Sequence, residues 1–274
     1  MKGALRPRLV FERFRGLLTF VVSLVVVLVV WQWAAVTERV SPLILPKPTA
    51  IWDELLFFFD NFFSGVGYWR HTWVTVQEML LGFAIASASA FVLGTLVSEF
   101  RMVREVVTPY AVALNATPKV AFVPVFIVWL GFGMAPKVLV AALIAFFPVF
   151  VNTITGMHSI HVEQVELLRS LRASRWQTFR ILKLFNSLPF VFAGLKTAMV
   201  LSVIGAIVAE FGGASEGLGY LIRQSSSRLR ADQVFAYITV LSVLGYVLFD
   251  LISRVERKVV FWVDRTHQSQ AVTS

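Results

Sequence analysis

The side chains of this chain that could do chemistry are few, and they are not arranged for catalysis. The four histidines are His71, His158, His161 and His267, and the chain has no cysteine. His158 and His161 could share a helix face, but two imidazoles without a nearby carboxylate pair do not make a metal site. The phosphate-binding pattern G-x-x-x-x-G-K-[ST] is also absent. The sequence therefore predicts a protein that is not an enzyme and binds no cofactor or metal of its own.

Polar residues and prolines within long apolar runs are the remaining candidates for function. A polar side chain in a bilayer is costly, so it usually faces a cavity or a partner, and a helix break is tolerated where the backbone lines a cavity. On this basis a pathway through the membrane would be lined by Asn115, Pro118, Trp129, Asn152 and Glu210. Glu210 could instead cap the glycine-rich loop that follows it, and both interpretations stay open.

A charged, helix-forming segment lies between two of the apolar runs. Residues 163–183 hold two glutamates and five Lys or Arg residues, with Val165, Leu168 and Leu171 at a spacing of three. Trp176 and Phe179 add large apolar surface. This pattern suits an amphipathic helix on lipid phosphates as well as a helix that docks on another protein, and the pattern alone does not separate the two.

Composition and hydropathy predict an all-α, polytopic membrane protein. Of the 274 residues 57% are hydrophobic and only 15% are charged, against about 25% charged in soluble domains. Six apolar runs of membrane length predict six transmembrane helices in one domain over residues 1–274. The first run is too long for a signal peptide and no clear cleavage site follows it, so we expect it to be retained. The predicted spans are 16–37, 79–98, 106–130, 138–157, 189–211 and 233–249, and a loop at 158–188 connects the fourth span to the fifth.

Two further patterns concern packing and orientation. In the second span small residues recur every four positions, at Gly82, Ala86, Ala90 and Gly94. This spacing predicts a groove in which another helix, from this chain or from a second copy, can approach closely. With the N-terminus inside, inner segments hold 16 Lys and Arg residues and outer segments 7. This bias places both ends and the charged segment in the cytoplasm. Because the basic residues flank the spans, the net charge of +9 does not indicate nucleic-acid binding.

The charged segment resembles the cytoplasmic loop of permease subunits of ATP-binding-cassette importers. The motif of that loop is E-A-A, three residues, G, nine residues, I-x-L-P. Here Glu166-Leu167-Leu168 stands for E-A-A, Arg172 stands where the glycine belongs, Leu182 takes the Ile position, and Leu184-Phe185 replaces L-P. Because Arg172 cannot adopt a positive φ cheaply, we expect either one longer helix or a turn shifted toward Ala173-Ser174. The likeness covers most of residues 45–262 and includes Thr117-Pro118-Lys119, residues 129–133 and residues 213–220.

The resemblance implies a type I importer permease bundle in a bacterial inner membrane. It implies a second copy of this chain, two ATPase subunits that bind ATP and Mg²⁺, and an external substrate-binding protein. The chain resembles the branch of nitrate, sulfonate and taurine importers, while residues 202–210 look nearer to relatives for thiamin-precursor pyrimidines or riboflavin. The alternative is a non-transport scaffold or anchor subunit. An ion channel would need a pore lined by repeated polar residues, which the sequence lacks. The expected ATPase-coupling residues are Glu166, Leu168, Leu171, Arg172, Arg175 and Trp176.

Overall fold

The computed structural model of the chain describes residues 6–37, 41–65 and 67–262, and every regular element within them is helical. Lys2, Arg39 and Arg265, which entered the charge count, and His267 lie outside these residues. A 3₁₀ turn occupies Lys119–Phe122 and a π-helical turn occupies Phe179–Lys183. The α-helices are α1 Arg6–Val36, α2 Pro48–Asp60, α3 Tyr68–Glu99, α4 Arg101–Ala116, α5 Val123–Leu130, α6 Met134–His158, α7 Val162–Ser170, α8 Arg175–Thr178, α9 Leu184–Phe211, α10 Leu218–Ser227 and α11 Ala231–Val259.

Within the residues that the structure describes, four helical stretches are long and apolar enough to cross a membrane: α3, α6, α11 and the stretch Arg175–Phe211, which joins α8 to α9 through the π turn. α4 and the stretch Lys119–Leu130 form a pair bent by 92° that would make a fifth span. The break falls at Thr117 and Pro118, where the proline cannot donate a helical hydrogen bond. In α1 the apolar part, Val21–Val36, is shorter than these spans. The count of six spans therefore stays a prediction.

The chain divides into two compact units, Met1–Tyr68 with Ile222–Val240, and Trp69–Leu221 with Leu241–Ser274. In the first unit, Phe58 of α2 is buried, and its ring lies 4.8 Å from that of Tyr68 and 6.0 Å from that of Tyr237. The indole of Trp31 donates a hydrogen bond to the carbonyl of Pro46 at 3.1 Å. These contacts hold α2 against the helices of its own unit. The prediction of one permease domain stays a prediction.

The second unit is built on close contacts of α3 and α9 with α6. A Cβ atom on Gly82 of α3 would lie 2.5 Å from the Cβ of Ala141, and one on Gly94 would lie 3.0 Å from the Cβ of Thr153. On the α9 side, a Cβ on Gly205 would lie 2.7 Å from the Cα of Ala141. The groove of small residues on α3 thus receives α6 of the same chain, which decides the alternative that the sequence left open.

We predict that Gly82→Ala destabilises the protein and that Gly245→Ala does not. Both exchanges add one methyl group within a helix, which by itself favours the helix by up to about 1 kcal/mol. At Gly82 the methyl group overlaps Ala141, and such overpacking costs about 1–3 kcal/mol. At Gly245 the nearest atom, on Val203, is 3.9 Å away. Thermal melting of both purified variants measures the difference, and equal melting temperatures would contradict the close packing of α3 on α6.

Candidate functional site

The coupling segment, which we define as residues 162–183, carries exposed apolar side chains among charged ones. Leu171 and Trp176 are 70% and 66% exposed. Glu166, Arg172 and Arg175 are also exposed, whereas Leu168 is only partly so. The neighbouring Leu167, which was not among the expected coupling residues, is more exposed than Leu168, at 61%. Apolar groups of this size on a charged segment are typical of a surface that a partner covers.

The turn of the coupling segment stays at Arg172, so the expectation of one longer helix or a shifted turn is wrong. Arg172 has φ 56°, the left-handed conformation that glycine adopts most easily. Its N–H donates to the carbonyl of Arg169, and the N–H of Ala173 donates to that of Leu168, both at 2.9 Å. This is the hydrogen-bond pattern of a Schellman motif, which ends α7. The bonds offset the cost of about 1–2 kcal/mol for a non-glycine residue in this conformation.

The second short helix starts directly after this turn because Ser174 caps it. The hydroxyl of Ser174 accepts a hydrogen bond from the N–H of Gln177 at 3.2 Å. The side chain of Gln177 in turn accepts one from the N–H of Ser174 at 2.7 Å. This reciprocal capping box satisfies two N–H groups that the start of α8 would otherwise leave unpaired. The segment is thus two short helices held in a defined bend.

We predict that Arg172→Gly preserves or stabilises the fold, by up to about 1–2 kcal/mol, because it removes the strain of a positive φ. Arg169→Gly is the matched control. Arg169 lies in the last turn of α7, where glycine costs about 1 kcal/mol. Thermal melting of the two variants should therefore shift in opposite directions. A lower melting temperature for Arg172→Gly would show that the arginine side chain itself stabilises the turn.

An ion pair and one long helix connect the coupling segment to the spans. Lys183 lies 2.6 Å from Glu99 at the end of α3. Between α3 and the segment is a cavity of about 890 Å³, whose wall includes Trp176 and Phe179, stacked with ring centroids 5.5 Å apart. From Arg175 the chain stays helical to Phe211, a stretch of 37 residues. At 1.5 Å per residue this is about 55 Å, longer than the hydrocarbon core is thick.

At the far end of this stretch, three side chains cap the N-terminus of α10. The first N–H groups of a helix have no partner inside it. Here the N–H of Gly217 donates to Nδ1 of His71 at 3.1 Å, and that of Leu218 donates to the hydroxyl of Thr75 at 2.8 Å. We call His71, Thr75 and Glu210 the α10 cap. They come from α3 and α9, so α10 depends on tertiary contacts for its start.

Glu210 is the centre of the α10 cap and is fully buried. Its Oε2 accepts the N–H of Gly219 at 2.5 Å and that of Tyr220 at 3.3 Å, while its Oε1 accepts the hydroxyl of Thr75 at 2.6 Å. A carboxylate at a helix N-terminus is also favoured by the helix dipole. A Cβ atom on Gly217 would overlap the carboxyl group, and one on Gly219 would lie 2.7 Å from Oε2. The two glycines therefore make room for Glu210.

A buried ion pair lies next to Glu210 of the α10 cap. Lys137 of α6 pairs with Glu78 of α3, and Glu78 also interacts with Glu210. The side chains of both Lys137 and Glu78 are buried. Removing one partner of such a pair leaves the other charge without compensation, which costs several kcal/mol. The cap is thus the meeting point of α3, α6, α9 and α10.

The residues predicted to line a pathway fall into two groups. Asn115, Pro118 and Trp129 are exposed and belong to the bent pair around α4 and α5, and α4 has no buried residue. The side chains of Asn152 and Glu210 instead bond within the helix bundle. Nδ2 of Asn152 donates to the carbonyl of Pro148 at 2.8 Å, one turn earlier in α6. The roles of all five in a pathway stay predictions.

A cavity of about 440 Å³ lies between α4 and α6. Its wall includes Asn115 and the rings of Phe147 and Phe150. At one end Nη2 of Arg104 lies 2.7 Å from Nε2 of His158. The cavity therefore combines aromatic walls with a polar amide and a basic end, as sites for small solutes do.

Comparison with known proteins places these features in one family. The family described as the binding-protein-dependent transport system inner membrane component matches residues 79–260, a range that holds the whole coupling segment and Glu210 of the α10 cap. The chain belongs to this family. This confirms the resemblance seen in the sequence, and the permease is accordingly a membrane-spanning subunit of an ABC importer.

Relatives and solved structures agree with this family. Over 241 residues, 88% of each chain, the permease is 34% identical to the riboflavin transport system permease protein RibX of Chloroflexus aurantiacus. It is 32% identical over 235 residues to the formylaminopyrimidine transport permease protein ThiX of Halalkalibacterium halodurans, covering 86% of the permease and 92% of ThiX. A structure of the MetNI methionine ABC transporter in an inward-facing conformation matches with a TM-score of 0.60 at 18% identity, over 72% of the permease and 99% of that chain. The predicted importer permease fold is thereby confirmed.

Sequence reasoning missed four residues around Glu210 in the permease. No role was predicted for His71 or Thr75. Glu78 was taken as the boundary of the second span, and Lys137 was counted among the basic residues of an outer segment. The signal was present in the spacing, because positions 71, 75, 78 and 82 follow one another at three or four residues and lie on one face of α3. Extending the groove of small residues toward the N-terminus would have led to Glu78 and Thr75.

Proposed function

We propose that the permease dimerises to form the membrane pathway for a small solute that an external binding protein delivers. Two ATPase subunits bind ATP and Mg²⁺ and dock on the coupling segment, while the permease contributes no catalytic residue. The observation that carries this proposal is the exposure of Leu171 and Trp176 on a capped, bent helix pair. A rigid apolar projection with charged residues at its rim suits a pocket on a partner protein.

The same segment fits a lipid surface less well. A helix that lies on anionic lipid carries Lys and Arg along its polar face. In the coupling segment Glu163 and Glu166 share α7 with Arg169. The bend at Arg172 also divides the segment into two short helices instead of one long amphipathic face. Mixed charge and a fixed bend support docking on a protein over contact with lipid phosphates.

A second copy of the permease would bury the exposed surface of α4 and α5, the bent helix pair. α4 has no buried residue, and Tyr110 and Trp129 are 69% and 72% exposed. The pathway would then run at the dimer centre, beside Asn115, Pro118 and Trp129. Both ends of the chain lie in the cytoplasm of a bacterial cell in this arrangement, as the Lys and Arg bias suggests. Reporter fusions at Ser64 and after Thr266 test the orientation, with an active cytoplasmic reporter expected only at the second site.

The cargo is a small solute of the classes that the relatives' names give. Riboflavin and formylaminopyrimidine are planar heterocycles, whereas other relatives are named for aliphatic sulfonates and taurine. The cavity beside α4 has Phe147 and Phe150 in its wall and the amide of Asn115 within reach. Aromatic walls favour stacking on a planar ring. We therefore propose a thiamin-precursor pyrimidine or a riboflavin-like solute ahead of a sulfonate.

The test is reconstitution of the permease with its partner ATPase and binding protein. Proteoliposomes containing the complex are expected to take up riboflavin or formylaminopyrimidine with ATP, and the loaded binding protein should stimulate ATP hydrolysis. Taurine is the comparison solute. Purification of the permease without any ATPase would favour the alternative, a scaffold or anchor subunit whose basic loop lies on the inner leaflet.

A further inference from the structure

Lys119 is a charged residue at the break of the bent pair that would form the fifth span. Its Nζ donates hydrogen bonds to the backbone carbonyl of Asn115 at 2.9 Å and to Oδ1 of the same residue at 3.2 Å. The ammonium group also lies 4.7 Å from the centre of the Phe147 ring, a cation–π contact. Asn115 and Phe147 both line the cavity between α4 and α6. Charged residues within membrane spans usually serve a function, and the partners of Lys119 connect it to this cavity.

The opposite end of the cavity carries a second fixed positive charge. Nδ1 of His158 lies 2.8 Å from the carbonyl of Ile154, and its Nε2 lies 2.7 Å from Nη2 of Arg104. A carbonyl only accepts and a guanidinium only donates, so Nδ1 of His158 carries the proton and Nε2 accepts from Arg104. The imidazole is therefore neutral, and the charge at this end is that of Arg104, which stays protonated in proteins.

The two ends of the cavity are equally far apart on both helices. Asn115 follows Arg104 by eleven residues in α4, and His158 follows Phe147 by eleven residues in α6. At 1.5 Å per residue the ends lie about 16 Å apart. Among the described residues that line the cavity, none is acidic. Two basic ends joined by an aromatic wall suit an elongated solute with hydrogen-bond acceptors at both ends, and they oppose a cation.

We propose that Lys119 and Arg104 determine the specificity of this cavity. The solute is an elongated molecule with a planar ring that bears carbonyl oxygens and a tail that is hydroxylated or anionic. Its ring lies against Phe147 and accepts a hydrogen bond from Lys119, while its tail reaches Arg104. Riboflavin-like solutes have both features, whereas a cation such as thiamin is repelled at both ends. This inference rests on the proposed function, because it takes the cavity as part of the solute's path.

A purely structural role of Lys119 makes a different prediction. The bond from its Nζ to the carbonyl of Asn115 also caps the C-terminal end of α4. Such a cap contributes to the stability of the bent pair, but it does not discriminate between solutes of different charge. The dependence of binding on the charge of the solute therefore separates the two roles.

Flavin fluorescence measures binding to the cavity directly. The complex of the permease with its ATPase, without the binding protein, is placed in lipid nanodiscs and titrated with riboflavin and with flavin mononucleotide (FMN). Nanodiscs without protein are the blank. We expect both flavins to be quenched, and FMN to bind about tenfold more tightly, because its phosphate forms a charge-assisted hydrogen bond with Arg104. Thiamin in excess should displace neither.

Three substitutions assign the two ends. Lys119→Met should weaken the binding of both flavins about tenfold, because both have the same ring. Arg104→Gln should reduce the affinity for FMN to that for riboflavin and leave riboflavin unchanged. Lys119→Arg keeps the charge and should retain most of the binding. Lys258→Met, exposed in the last turn of α11, is the matched control and should change neither affinity. If Lys119→Met does not fold, Lys119→Gln replaces it.

The outcomes separate this inference from the proposed function. Displacement of the flavins by thiamin, equal affinities of the parent for FMN and riboflavin, or no binding of either flavin overturns the inference. So does a Lys119→Met complex that binds both flavins as the parent does and only melts at a lower temperature. These results leave the importer function intact, provided that the same complex retains its ATPase. A permease that binds no ATPase overturns the proposed function, and the inference with it.

Discussion

Trp176→Ala is expected to remove the ATPase from the purified permease complex. The indole is 66% exposed on the coupling segment and stacks on Phe179, so it is presented to a partner and held in place. Truncating a large aromatic anchor in an interface pocket typically costs at least about 2 kcal/mol, or roughly thirtyfold in affinity. A pull-down of the ATPase with the tagged permease measures this loss, and stimulated ATP hydrolysis should fall with it.

Trp52→Ala is the matched control for this prediction. Trp52 is 61% exposed, but it lies on α2, outside the coupling segment. It should leave ATPase retention unchanged. Arg175→Ala should weaken retention only in part and more at low salt, because an exposed charge at the rim contributes little and is screened. Unchanged retention in Trp176→Ala, together with weaker binding to anionic vesicles, would instead favour the lipid-surface interpretation of the segment.

Glu210→Gln is expected to abolish most solute uptake while the permease still inserts and binds its ATPase. The exchange preserves shape but replaces one acceptor oxygen by a donor nitrogen beside the Thr75 hydroxyl, and it removes the charge near Lys137. Glu210→Ala goes further, since it leaves the N–H groups of Gly219 and Tyr220 without an acceptor. Each such buried group costs about 1–3 kcal/mol. Uptake by proteoliposomes and thermal melting measure the two effects.

Glu216→Gln is the matched control in the same loop. Glu216 pairs with Arg70 at 2.6 Å, but two thirds of the Arg70 side chain is exposed. An exposed ion pair contributes at most about 1 kcal/mol. Its loss should therefore leave melting and uptake close to those of the parent. Normal uptake in Glu210→Gln would remove the α10 cap from the transport cycle and leave it a purely structural feature.

Local patterns in the sequence were enough to predict the class of fold and the position of the coupling segment. Apolar runs, the break at Pro118 and the four-residue spacing from Gly82 to Gly94 depend on neighbours in the chain, so periodicity reveals them. The turn at Arg172 was mispredicted from the same kind of evidence. Intrinsic preference opposes a positive φ for arginine, but two backbone bonds and the capping box of Ser174 outweigh it.

The sequence by itself determined that this chain is an all-α membrane protein of the importer permease family, with a docking segment between two spans. Only the tertiary structure decided the partners of the polar groups. Glu210 meets Thr75 across 135 positions of the chain, and Lys137 meets Glu78 in another helix. Charge and hydropathy along the chain show that such groups are costly in a bilayer, but not which of them compensate one another. That pairing arises from the close approach of α3, α6 and α9, which the small residues at their contacts permit.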